Sequence, residues 1–191
     1  ESPLINYNYQ IGAGSWNNIW TGSQSSDYTT DWGLTWASLA EGLNQISIAG
    51  QDRAGNGATD AFVAGVSGFL LRKDVSAPDN PASPASGWET SSKATALVSG
   101  NTYDYQHPYF EWAAPNDNPA PDNAGVSYYY VGFDTDSDYD PVATQTSANF
   151  TATPTICGAT YHLVIKTADA ALPANVAATT SKMFTYNYGG I

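Results

Sequence analysis

The chain has 191 residues, only 13% of them charged, with six Lys plus Arg and a net charge of −12. It therefore lacks the clustered cations that nucleic acid or an anionic membrane surface would require. No run of 18 apolar residues offers a helical span of a bilayer, and the length fits one large domain or two ordinary ones.

The richness in Tyr, Trp and Thr, punctuated by 17 Gly and 11 Pro, predicts an all-β chain of short strands. Residues 5–11 alternate, with Ile5, Tyr7, Tyr9 and Ile11 on one face, as a half-buried strand does. Gly12 to Ser15 turns the chain, Trp16 to Trp20 reads as a return strand, and Thr21 to Thr30 as loop. Trp32, Leu34 and Trp36 alternate, a turn follows at Glu41-Gly42, and Gln45 to Gly50 is a strand with Ile46 and Ile48 inward. Asp52 to Gly57 is a tight turn and Phe69 to Arg72 a last strand. Val75 to Gly87, with Pro78, Pro81 and Pro84, is a semi-stiff connector. It separates an incomplete or reduced sandwich over residues 1–74 from a second sandwich over 75–191. In the latter, strands are expected near Thr95–Val98, Tyr109–Trp112, Ser127–Phe133, Ala148–Ala152, Tyr161–Thr167 and Met183–Asn187.

Two segments recur. A Tyr-rich strand appears as Ile5 to Ile11 and again as Val126 to Phe133. Each copy is followed by a glycine and an alternating strand ending in aspartate, Gly42 to Asp52 and Gly158 to Asp169. A repeat longer than about 100 residues means two copies of one domain rather than a solenoid.

Tyr109-Phe110-Glu111-Trp112-Ala113-Ala114-Pro115 resembles the second strand of fibronectin type III-like domains. Gly158-Ala159-Thr160-Tyr161-His162-Leu163-Val164-Ile165 is similar to their sixth strand, and Asp52-Arg53-Ala54-Gly55-Asn56 to a turn of bacterial Ig-like repeats in large prokaryotic surface proteins. Asp169 to Asn175 departs from that turn by an insertion and the loss of its Gly. The resemblance implies antiparallel sandwiches with Trp112 and Tyr161 as core anchors. It also makes residues 5–11 a third strand, so that the first domain lacks its opening two. A fragment of a longer chain, strands donated by another chain, and a genuinely reduced sandwich all account for this.

Chemistry-bearing patterns are sparse. His107 and His162 are the only histidines, Glu111 reads as solvated, and no nucleophile elbow, phosphate loop or zinc-protease motif occurs, so no enzyme is expected. Asp134, Asp136, Asp138 and Asp140 place carboxylates at every second residue, a pattern suited to Ca²⁺ with help from Asp117 or Asp122. Tyr139 stands where an EF loop needs Gly, and a solvated acidic turn is the plainer reading. Trp16, Trp20, Trp32 and Trp36 offer a glycan platform, a core, or a seam for a partner. The single Cys157 reads as a small buried hydrophobe, and Asn149-Phe150-Thr151 matches a glycosylation triplet inside a strand.

These readings converge on a non-catalytic extracellular, cell-surface structural or adhesive module whose partners are neighbouring repeats or other copies. The alternatives are a filament or surface-layer subunit completed by strand donation, and a carbohydrate-binding module. Ca²⁺ is the one cofactor the residues evoke.

Overall fold

The computed structural model describes residues 4–22, 31–54 and 68–190. Among these the chain is all-β, its one helical element being the short 3-10 turn Trp36–Ser38. It divides into two compact units, Glu1–Asp74 and Val75–Ile191. The loop expected over 21–30 lies largely outside the described residues, as does the second half of the turn expected over 52–57.

In the first unit, β1 (Leu4–Ile11), β2 (Asn17–Thr21), β3 (Gly42–Asp52) and β4 (Gly68–Lys73) form one antiparallel sheet in the order β2-β1-β3-β4. Tyr7, Tyr9 and Ile11 pair with Gly50, Ile48 and Ile46, and Phe69 also pairs with Ile46. Cross-strand partners share a face, so these side chains form the apolar side of the sheet. Tyr9 stacks on Trp32 with ring centroids 5.0 Å apart, and Tyr7 lies 6.1 Å from Trp20. Ile46 is fully buried there, a contribution of about 1.5–3 kcal/mol. Asn44 is buried too, and its side chain closes the preceding turn with bonds to the Ala40 N–H and to the Ala40 and Gly42 carbonyls. The other face carries an amide chain in which Asn18 donates to Asn8, Asn8 to Asn6 and Asn6 to Gln51.

The expected alternation of Trp32, Leu34 and Trp36 holds for the first two and fails at Trp36, where the 3-10 turn begins. Trp36 is 52% exposed, with the Lys73 ammonium 5.4 Å from its ring centroid. That ammonium also donates to the Trp36 and Leu39 carbonyls.

The second unit has two sheets. β10 (Thr144–Gln145), β9 (Val126–Asp134), β12 (Thr160–Asp169), β13 (Ser181–Tyr188) and β7 (Thr102–Tyr103) follow one another in the first. In the second, β11 (Asn149–Thr151), β8 (Tyr109–Glu111), β5 (Ser86–Trp88) and β6 (Ala96–Leu97) do so. Inward side chains of both sheets, including Phe110, Trp112, Tyr129, Tyr161, Leu163, Ile165 and Phe184, share one buried cluster. That is a β-sandwich. Phe133 stacks on Tyr161 at 5.0 Å, and Trp112 meets Tyr129 edge-on at 5.4 Å. The Tyr161 hydroxyl accepts the N–H groups of Thr155 and Ile156, tying the loop before β12 to the core. β5 emerges from the segment expected to be a connector, and β7 runs parallel to β13 at the sheet edge.

Candidate functional site

The acidic loop Asp134–Asp140 folds back on the outer face of the first sheet. Gly132 leaves room for the Tyr139 ring, which occupies the space a Cβ would take, and Pro141 is buried beside it. With Tyr139 as the anchor, the carboxylates separate instead of converging. Asp134 accepts the Asp136 N–H at 2.9 Å, Asp136 accepts the Asp138 N–H at 2.9 Å, and Asp140 pairs with Lys166 at 2.6 Å. No three of the four offer oxygens within 4.8 Å of one another, and Asp122 joins no such group either. In this loop backbone N–H groups close the turns, and an aromatic ring sits where a cation loop needs glycine.

Two other carboxylates do converge. Asp117, in the Pro-rich loop before β9, and Asp169, at the end of β12, are both buried, with oxygens within 4.8 Å of one another. Asp117 accepts the N–H of Asn118 at 2.9 Å and of Gly125 at 2.6 Å. Asp169 accepts the N–H groups of Ala171 at 3.0 Å and Asn175 at 2.7 Å and the Asn175 side-chain amide at 2.7 Å. The inserted loop 170–174 is thus clasped at both ends by one carboxylate. The sequence named Asp117 only as a helper and Asp169 only as the end of an alternating strand.

The four tryptophans of the first unit divide by role. Trp20 and Trp32 pack on Tyr7 and Tyr9, while Trp16 and Trp36 are exposed. Trp112 and Tyr161 lie in the core cluster of the second unit. His107 is exposed. His162 is half-buried, and burial first, then the nearby Lys182 charge, hold its pKa below the usual value. Cys157 is exposed, contrary to the expected buried hydrophobe: it sits in the turn before β12, where its thiol donates to the Gly189 carbonyl at 2.7 Å. Asn149 lies half-buried in β11, its backbone carbonyl accepting from the Gln145 amide.

Glu111, expected to be solvated, belongs to a cluster the sequence reading missed. The Lys93 ammonium reaches its carboxylate at 2.5 Å and the Tyr109 hydroxyl donates to it at 2.8 Å. These two bonds, Lys93 first, hold the Glu111 carboxyl below the usual carboxylate range. The same ammonium lies 5.0 Å from the Trp88 ring centroid and 5.6 Å from that of Tyr109. Trp88 and Tyr109 are paired residues on adjacent strands, their rings 6.2 Å apart. The apolar–polar alternation of Tyr109 to Trp112 was the available signal; what hid the cluster was that Lys93 arrives from a hairpin. No family model matches the chain, and no curated protein matches it.

Proposed function

We propose that the chain is a non-catalytic structural or adhesive module of a prokaryotic cell-surface protein, built from tandem sandwiches of the fibronectin III-like and bacterial Ig-like kind. The observation that carries this reading is the apolar surface left along the last two strands of the first unit's sheet. Leu43 is 41% exposed, Phe69 40% and Leu70 47%. They occupy both faces of the β3–β4 pair, because Phe69 aligns with Ile46, whereas Leu70 aligns with Gln45 and Leu43 with Arg72. Apolar surface on an outer strand pair marks a place where a neighbour packs. In the leading reading that neighbour is another repeat of the same surface protein.

The second reading is self-assembly, in which another copy adds a strand beside β4 or β2, the outermost strands of the described sheet. Sedimentation equilibrium of the full chain over a wide concentration range separates the two. A monomer throughout supports the repeat-module reading. Association that Leu70→Lys abolishes supports strand addition, because a charged edge residue blocks pairing. Association indifferent to Leu70→Lys and Phe69→Lys alike counts against both.

A further inference from the structure

We propose that the outer face of the β5–β8 strand pair binds a neutral, polyhydroxylated ligand, a glycan chain. The inference deepens the adhesive reading by naming a ligand class, and its geometry belongs to the second unit alone.

Strand register builds the surface. Ser86 pairs with Glu111 and Glu111 with Asn149, giving one row of hydroxyl, carboxylate and amide across three strands. Two residues along, Trp88 pairs with Tyr109 and Tyr109 with Thr151, giving a row of two rings and a hydroxyl. Two residues along a strand is about 6.6 Å, so polar and aromatic rows lie side by side. Between them Gly87 and Phe110 turn inward, where a Cβ on Gly87 would crowd the Phe184 and Phe110 rings. This inward packing fixes both strands, and side chains carried on such strands are held more tightly than side chains on loops.

A cavity of about 420 Å³ opens beside the polar row, lined by Ala82, Pro84, Ser86, Glu111, Trp112 and Ala113. That volume falls within the range of about 300–1,000 Å³ typical of small-molecule sites. This one is an open cleft whose exposed lining is more polar than apolar, as a ligand rich in hydroxyls requires. Sugar rings present both complements: C–H faces for aromatic and proline surfaces, and hydroxyls that donate to a carboxylate.

Glu111 is the fixed acceptor. Tyr109 and Lys93 both bond its Oε1, so little side-chain freedom remains to be lost on binding. Lys93 reaches that place from a left-handed backbone, φ 59°, which a lysine seldom adopts. Its hairpin is held by Glu89, whose carboxylate accepts the N–H groups of Ala94 and Thr95 and the Ser92 hydroxyl. A sparsely populated conformation that the surroundings over-determine is a mark of an organised site.

Charge selects the ligand class. The Lys93 and Glu111 charges cancel, leaving the Glu89 carboxylate of the adjoining hairpin on a chain of net charge −12. Anionic polymers are repelled by the molecule as a whole, and neutral glycans meet no electrostatic barrier.

The test is an NMR titration of the isotope-labelled full chain with cellohexaose, chitohexaose, mannohexaose and laminarihexaose, with polygalacturonate as the anionic probe. At least one neutral oligosaccharide is expected to shift the amides of residues 84–88 and 109–113, and polygalacturonate to leave them in place. Trp88→Ala and Glu111→Gln each weaken that binding by about tenfold while preserving the dispersed spectrum. If Trp88→Ala unfolds, Ser86→Arg, at an exposed strand position, fills the cavity instead and gives the same loss. The proposal is overturned if no neutral oligosaccharide shifts these amides at millimolar concentration. It is equally overturned if the shifts map to Trp16, Trp20, Trp32 or Trp36, if polygalacturonate binds this face, or if the folded variants keep wild-type affinity. None of these outcomes alters the sedimentation result, so the ligand assignment and the module reading fail separately.

Discussion

The two units carry the same recurring strands and bury them differently. In the second, Tyr129 and Val131 of the Tyr-rich strand and Leu163 and Ile165 of the Asp-ended strand all lie in the core cluster between two sheets. In the first, Tyr7 and Tyr9 stay half-buried, packing on Trp20 and Trp32, and among the described residues of the matching strand pair Ile46 is wholly enclosed. Strand alternation thus specifies which side chains share a face, while a second layer decides how much water that face loses. Pattern is local and burial is not.

The largest test of that contrast pairs a core aromatic in one unit with an edge aromatic in the other. Phe110→Ala removes a fully buried ring in contact with Phe133 and Phe184 and costs about 3–5 kcal/mol. Phe69→Ala, at a half-open site in β4, costs about 1 kcal/mol or less, because most of the transfer energy was never gained. Urea denaturation of both variants measures the difference; equal losses break the comparison. A smaller effect is expected at Gly132→Ala, where a methyl group collides with the Tyr139 ring. Overpacking of this kind costs about 1–3 kcal/mol and lifts the acidic loop from the sheet, raising its protease sensitivity.

A further effect is electrostatic and confined to alkaline pH. Burial raises the pKa of Tyr186 to about 12, and its hydroxyl donates to the Tyr105 carbonyl. Its folded-state pKa lies above the ordinary 10, so the neutral form is favoured in the native state. The associated stability is complete below pH 10 and is lost as pH rises towards 12. Thermal melts across that window fall for the wild type and flatten for Tyr186→Phe, and the alkaline loss belongs to the transition of the second unit.

How much of this was legible in the sequence follows from strand length. β1, β3, β9 and β12 are long and place large side chains at every second position, so their existence and inward faces read directly from Tyr7, Ile46, Tyr129 and Leu163. β5, β7 and β10 have two or three residues each, too few to show a period. Ser86-Gly87-Trp88 was further masked by the prolines before it, yet it supplies half of the aromatic–polar face. In the acidic loop the carboxylate spacing was visible and the seat for Tyr139 on Gly132 was not. Asp117 and Asp169 were hidden for the reverse reason: they are 52 residues apart in sequence, and only the fold brings them together.

The clasp at the end of β12 has a practical side. One carboxylate fixes both ends of the 170–174 segment, and Leu172 at its tip is 99% exposed. Segment length is therefore uncoupled from strand register, and guest peptides spliced in beside Leu172 will be displayed as tethered epitopes without disturbing the scaffold beneath.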